Sequence, residues 1–176
     1  MEQVRRELLG DSLKFYEGFL QEHSTDPDVR FETGLAYLEF GKMQKMLGED
    51  RPAEQAYAQA IRIFQKLVDK APDKADYRFN LAQSHNELGH VLRGTGRFSE
   101  AEQSFRQALA ITRKLDADFP NKYRGWVAGR LNNIGVILHS TGRLAEAESV
   151  HREALAIRTE YYPNDSRPLF ESYSNL

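Results

Sequence analysis

Apolar and small side chains recur along this chain at the spacing of amphipathic helices, and the helical pattern itself returns at a nearly fixed interval. A forward shift of 46 residues lays TGRFSEAEQSFRQALAI, which starts at Thr95, on TGRLAEAESVHREALAI, which starts at Thr141. A backward shift of 48 residues finds a weaker copy, LGEDRPAEQAYAQAIRI, from Leu47. Self-similarity at a period of about 20 to 50 residues, with two helices in each unit, predicts an all-α solenoid of antiparallel helix pairs.

The repeat pattern predicts a helix A and a helix B in each of three complete units, with a partial unit at each end. The units are repeat 1 over residues 29–72, repeat 2 over 77–120 and repeat 3 over 123–163. Residues 1–22 match a helix B whose own helix A is absent, and residues 168–176 match the start of a fourth helix A. The sequence therefore predicts eight helices and no strands, at residues 1–22, 29–47, 52–70, 77–93, 99–118, 123–140, 144–161 and from 168 onward.

One glycine recurs inside helix A of every unit, as Gly41, Gly89 and Gly135. Glycine inside a helix costs about 1 kcal/mol relative to alanine, so close packing must compensate for it. We expect these glycines to mark where helix A touches helix B, and the small and aromatic residues of helix B to be buried at that contact. The predicted core residues are Ala53, Tyr57, Ala60, Ala101, Phe105, Ala108, Ala147 and Ala154.

This pattern of a helical glycine, a turn glycine and A-x3-[FYH]-x2-A resembles the tetratricopeptide repeat (TPR) family. The turn glycines are Gly48, Gly96 and Gly142, and His151 replaces the usual aromatic residue in the third unit. The TPR unit has 34 residues, whereas these units have 46 to 48. The proline that closes the unit lies seven residues further along, at Pro72 and Pro120, which corresponds to about two extra turns of helix. Such long units are similar to those of kinesin light chains and of bacterial TPR arrays that accompany Ser/Thr kinase domains. The resemblance implies a right-handed superhelix whose A helices line a concave groove.

Composition excludes several classes of function. A net charge of −2 without a basic cluster argues against nucleic-acid binding. The absence of cysteine removes disulfides and thiolate metal sites, and fits a cytoplasmic location. No apolar run approaches the roughly 20 residues of a membrane span, so no membrane association is expected. No nucleophile elbow, phosphate loop or HExxH motif is present, and we expect neither enzymatic activity nor a cofactor.

The histidines and a repeated arginine have plain structural interpretations. His85 and His90 lie five residues apart, and neither His139 nor His151 has a partner at i+4, so no metal site is predicted. His85 and His151 occupy core positions and are expected to be packed or partly exposed imidazoles. Arg30, Arg78 and Arg124 share one register and could form an anion-binding ladder. We favour pairing of each arginine with neighbouring acids or with the carbonyls that end the previous helix B.

The candidate binding residues are those that the TPR resemblance places in the groove. Their amides and cations suit hydrogen bonding to the backbone of an extended peptide. The alternative for each of them is a solvated surface or a hydrogen bond between repeats. These residues are Lys42, Lys45, Asn86, His90, Arg93, Asn132, Asn133, Val136 and His139.

The sequence therefore predicts a non-enzymatic protein-interaction module that binds a peptide or partner helix, as a segment of a larger scaffold or signalling protein. Two alternatives stay open at this point: the regulatory TPR array of a bacterial Ser/Thr kinase, and a structural spacer or oligomerisation segment. The partial unit at one end lacks a helix A, and the partial unit at the other end lacks a helix B. The two ends could therefore pair between molecules, which allows head-to-tail self-association. The other possibility for the ends is that the terminal helices fold back on their own chain.

Overall fold

The computed structural model describes residues 25–161, together with residues 11, 14, 15 and 18, which are helical. Residues 25–161 form six helices and contain no strand, which confirms the all-α fold class. Each predicted boundary in this range agrees with the structure to within two residues. The predicted helix at 168–176, most of the predicted helix at 1–22, and the ends assigned to self-association lie outside the described residues. The helices are α1 (Pro27–Met46), α2 (Asp50–Lys70), α3 (Ala75–Gly94), α4 (Phe98–Asp118), α5 (Arg124–Ser140) and α6 (Leu144–Tyr161).

The chain divides into two compact units, Met1–Val91 and Leu92–Leu176, and the boundary falls within α3. The first unit contains α1, α2 and most of α3. The second contains α4, α5 and α6. Each unit is described separately below.

Local sequence explains where the helices of the first unit begin. The Asp26 carboxylate accepts hydrogen bonds from the backbone N–H groups of Asp28 (2.9 Å) and Val29 (3.4 Å), and so caps α1. Pro27 follows as the first helical residue, where its missing N–H costs nothing. Pro52 lies in the first turn of α2, where proline is tolerated.

The turn between helix A and helix B has the same geometry in all three repeats. Gly48, Gly96 and Gly142 have φ angles of 76°, 76° and 77°, in the left-handed region that glycine adopts without strain. The N–H of the residue after each glycine donates to a carbonyl five residues earlier, over 2.8 to 2.9 Å. Each glycine N–H also donates to the carbonyl three residues earlier, over 3.0 to 3.1 Å. These two bonds form the Schellman motif, which satisfies the last carbonyls of helix A and turns the chain into helix B.

In the first unit, two glycines of α1 lie against two aromatic rings of α2. A Cβ atom at Gly41 would lie 2.6 Å from Cε1 of Tyr57, and one at Gly34 would lie 2.7 Å from Cζ of Phe64. The glycine numbers rise along α1 while the ring numbers fall along α2, so the two helices are antiparallel. Phe31 adds an edge-to-face contact with Phe64, with ring centroids 5.9 Å apart.

The second unit repeats the glycine contact between α5 and α6. A Cβ atom at Gly135 would lie 2.5 Å from Nε2 of His151. Nearer the other end of the pair, Arg124 binds Glu160 over 3.4 Å, so these helices are also antiparallel. The eight core residues predicted across the two units are all buried, and none of them is more than 3% exposed.

Ion pairs connect the two B helices of the second unit along their exposed sides. Arg143, just before α6, binds Glu102 of α4 over 2.7 Å, and Arg113 of α4 binds Glu153 of α6 over 2.6 Å. Both residue numbers rise together, so α4 and α6 are parallel, as equivalent helices of successive repeats must be. Surface pairs of this kind contribute at most about 1 kcal/mol each, so burial remains the main stabilising effect.

Candidate binding face

The candidate site in the second unit is one side of α5, which we call the α5 face. The opposite side of this helix, with Ile134 and Leu138, is fully buried. Along its length α5 contains neither Asp nor Glu. Asn132, Asn133 and Val136 are half-buried, and His139 is exposed. The α5 face consists of these four residues together with Trp126 and Gly129, which lie on the same side at helical spacing.

Trp126 is a residue of this face that the sequence analysis did not select. Its side chain is 43% exposed. The buried Arg130, one turn further along, holds its guanidinium carbon 5.3 Å from the centre of the indole ring. This cation–π contact fixes the orientation of the ring. The sequence contains a signal that points to Trp126, because residues three, seven and ten apart lie on the same side of a helix. These are its spacings from Gly129, Asn133 and Val136.

Gly129 leaves room beside Trp126. A Cβ atom at Gly129 would meet no other atom within 4 Å, in contrast to Gly135 on the opposite side of the same helix. Gly129 lies inside α5 and does not need a left-handed conformation. The result is an open stretch of helix surface bordered by an aromatic ring and two amides.

The candidate residues of the first unit are engaged with their own chain. Lys42 binds Glu39 over 2.6 Å, and Lys45 of α1 binds Glu87 of α3 over 3.2 Å. Lys45 and Glu87 therefore form an ion pair between equivalent helices of successive repeats. A contact of this kind between repeats was the stated alternative to ligand binding. His90 is half-buried further along α3. Arg93 is also half-buried, and it lies on the part of α3 that belongs to the second unit.

The expectation for Asn86 needs correction. Its side chain is only 4% exposed, and its amide donates to the Glu87 carboxylate over 3.4 Å. Leu38 occupies the same register in repeat 1 and is 3% exposed. In the first unit this register is a core position, so Asn86 offers almost no surface to a ligand.

Arg124 forms ion pairs, as favoured for the repeated arginine. Its guanidinium binds Asp116 of α4 over 3.3 Å as well as Glu160 of α6. Hydrogen bonds to these two carboxylates raise the pKa of Arg124. Arg124 thus connects three helices of the second unit.

His151 is buried and His85 is half-buried, in agreement with the packed or partly exposed imidazoles predicted for them. Burial lowers the pKa of His85 to about 4, so its imidazole is neutral at pH 7. His151 is 2% exposed. Within the described part of the chain, no group of three or more His, Asp or Glu side chains is arranged to hold a metal ion. None of the described helices has the length and apolar character needed to cross a bilayer.

Comparison with known protein families identifies the type of repeat in this chain. The sequence matches the tetratricopeptide repeat over residues 81–115 and 127–167. The first match lies within repeat 2, and the second covers most of repeat 3 and extends four residues past it. No curated protein sequence matches the chain.

Two solved structures share the fold at low sequence identity. The crystal structure of BtubC (BKLC) from P. vanneervenii has a TM-score of 0.73 and 21% identity over 99% of this chain, which spans 64% of that protein's length. The crystal structure of MamA has a TM-score of 0.53 and 14% identity, covering 93% of this chain and 90% of that one. With the glycine contact seen in repeats 1 and 3, these comparisons show that the chain contains two tetratricopeptide repeats and shares its fold with the two solved structures.

Proposed function

We propose that this chain is a protein-interaction module that binds an extended peptide or a partner's helix along the α5 face. TPR units typically serve as non-catalytic scaffolds for protein–protein contacts, and two of them match here. The observation that carries the proposal is the composition of the α5 face: an exposed tryptophan, an open glycine position and two amides on one side of a packed helix.

The chemistry of the α5 face suits the backbone of a peptide. Each asparagine amide has both a donor and an acceptor, so Asn132 and Asn133 can pair with N–H and C=O groups of any sequence. Trp126 supplies a large apolar surface for one side chain of the peptide, and aromatic residues of this kind dominate binding energy in protein interfaces. Gly129 lets the peptide backbone approach the helix closely.

The first prediction tests the two amides. The double substitution Asn132→Ala and Asn133→Ala should weaken binding by about 1 to 3 kcal/mol, or roughly 5- to 150-fold, because each hydrogen bond contributes about 0.5 to 1.5 kcal/mol. Peptides selected from a displayed library by the unmodified protein serve as ligands. Trp126 is the single tryptophan of the chain, so its fluorescence reports binding at the α5 face directly.

Exposed amides elsewhere provide the matched control. Gln103 and Gln107 lie on α4 and are exposed, and their double substitution by alanine should leave affinity unchanged. Circular dichroism verifies that both double variants are folded. Normal affinity in the folded asparagine variant would show that the α5 face is not the site. Failure of the library to yield any ligand would favour a structural spacer instead.

A further inference from the structure

His151 lies at the closest contact between the two helices of repeat 3. Its ring is 2% exposed and lies against the backbone of α5 at Gly135. A Cβ atom at Gly135 would lie 2.5 Å from both Cε1 and Nε2 of the ring. The imidazole therefore fills the space that the missing glycine side chain leaves, and it cannot move without opening the contact between α5 and α6.

The same register holds residues that stay neutral in the other two repeats. Tyr57 occupies it in repeat 1 and Phe105 in repeat 2, and both side chains are completely buried. Burial raises the pKa of Tyr57 above its ordinary value, so this phenol does not ionise near neutral pH. Histidine is the one residue in this register that gains a charge between about pH 5 and pH 8.

The surroundings of His151 oppose a positive charge. Its Nδ1 atom is buried and has no hydrogen-bond partner among the described residues. Burial is the largest cause that lowers the pKa of His151, followed by the nearby charges of His139 on α5 and Arg158 on α6. Both of these neighbours are basic, so neither compensates for a proton on the ring.

Acids on the neighbouring turns of α6 already have cationic partners. Glu148, one turn before His151, binds Arg152 over 2.6 Å. Glu153 binds Arg113, which extends from α4. A proton on His151 would have to compete with these arginines for a carboxylate.

We propose that His151 makes the third helix pair acid-sensitive, because a proton on its buried ring weakens the contact between α5 and α6. The pair is intact when the imidazole is neutral and loosens when the imidazole is charged. Because Gly135 lies in the same helix as the α5 face, acid would disturb that face as well.

The direction of the pH effect follows from linkage between protonation and folding. The pKa of His151 is lowered from 6.5 in the folded state. Above pH 6.5 the His151 imidazole is neutral in both the folded and the unfolded chain, so the full free energy of unfolding is present. As the pH falls below 6.5 the unfolded chain takes up a proton that the folded chain resists. Each pH unit can therefore reduce the folding equilibrium constant by up to about tenfold, until the folded-state pKa is reached.

The test compares the full chain with its His151→Phe variant. Urea unfolding is followed at pH 7.5, 6.5 and 5.5 by the fluorescence of Trp126, which lies on α5 and reports on this helix pair. We expect the folding equilibrium constant of the unmodified protein to fall between pH 6.5 and 5.5 by several-fold more than that of the variant. His85 titrates in both proteins, so its contribution cancels in the comparison. The variant should fold, because phenylalanine occupies this register at Phe105.

Two further measurements keep the proposal falsifiable. His151→Gln removes the titrating group while keeping a polar side chain, and should also lose the excess pH dependence. The His85→Leu control should retain it. Equal pH dependence in the unmodified protein and both His151 variants would overturn the proposal. So would an NMR titration that places the pKa of His151 at or above 6.5 in the folded protein.

Discussion

Replacing Gly41 with alanine should destabilise the protein by about 1 to 2 kcal/mol, although alanine is the better helix former. Alanine in place of a helical glycine gains about 0.5 to 1 kcal/mol. The new methyl group, however, would lie 2.6 Å from the ring of Tyr57, which is completely buried and cannot swing away. Overpacking of this kind costs about 1 to 3 kcal/mol, and we expect it to exceed the helical gain.

Two other glycines make this prediction specific. Gly135→Ala should be destabilising for the same reason, because its methyl group would lie 2.5 Å from the His151 ring. Gly129→Ala lies in the same helix as Gly135 but faces open space, so it should stabilise the protein by about 0.5 to 1 kcal/mol. Urea denaturation of the three variants measures these effects. Stabilisation by all three substitutions would contradict the close contact between helix A and helix B.

The fold was largely predictable from the sequence because its close helix contacts and its turns both require glycine at fixed positions of the repeat. A helical glycine is costly unless another helix touches it, so its recurrence located the contacts now seen at Tyr57 and His151. The turn glycines were predictable for a similar reason. A left-handed residue closes the Schellman motif, and glycine adopts that conformation without strain.

The candidate site was less predictable, because residue type alone does not determine exposure. Asn86 was assigned to a ligand because the TPR resemblance places its register in the groove, but the same register holds the buried Leu38 in repeat 1. The pairing of Lys45 with Glu87 depends on the distance between two helices in successive repeats, which the repeat pattern does not specify. Trp126 lies before the segment that matches the 34-residue motif, so that motif assigns no role to it.

A second packing prediction concerns Gly34 on α1 and Phe64 on α2, where the small residue leaves room for the large ring. Phe64 is completely buried, and a Cβ atom at Gly34 would lie 2.7 Å from its Cζ atom. The corresponding register holds Ala82 and Thr112 in repeat 2, where the helix A residue is larger and the helix B residue smaller. We therefore expect the sizes of the two side chains to be coupled.

Phe64→Thr alone should cost about 3 to 5 kcal/mol, because it leaves a cavity in the core of the first unit. Its hydroxyl has an acceptor available at the carbonyl of Ala60, as the hydroxyl of Thr112 donates to Ala108 over 2.7 Å. Gly34→Ala alone should cost about 1 to 2 kcal/mol by overpacking against the ring.

The double variant should be no less stable than Phe64→Thr alone, because the methyl group then enters the space that the ring has left. A double-mutant cycle from urea denaturation should give a coupling free energy of about 1 to 3 kcal/mol between the two positions. Phe64→Thr combined with Gly129→Ala is the control, and its effects should add because Gly129 lies in the second unit and faces open space. If the effects of Gly34→Ala and Phe64→Thr also add, the contact between Gly34 and Phe64 does not determine the packing of α1 against α2.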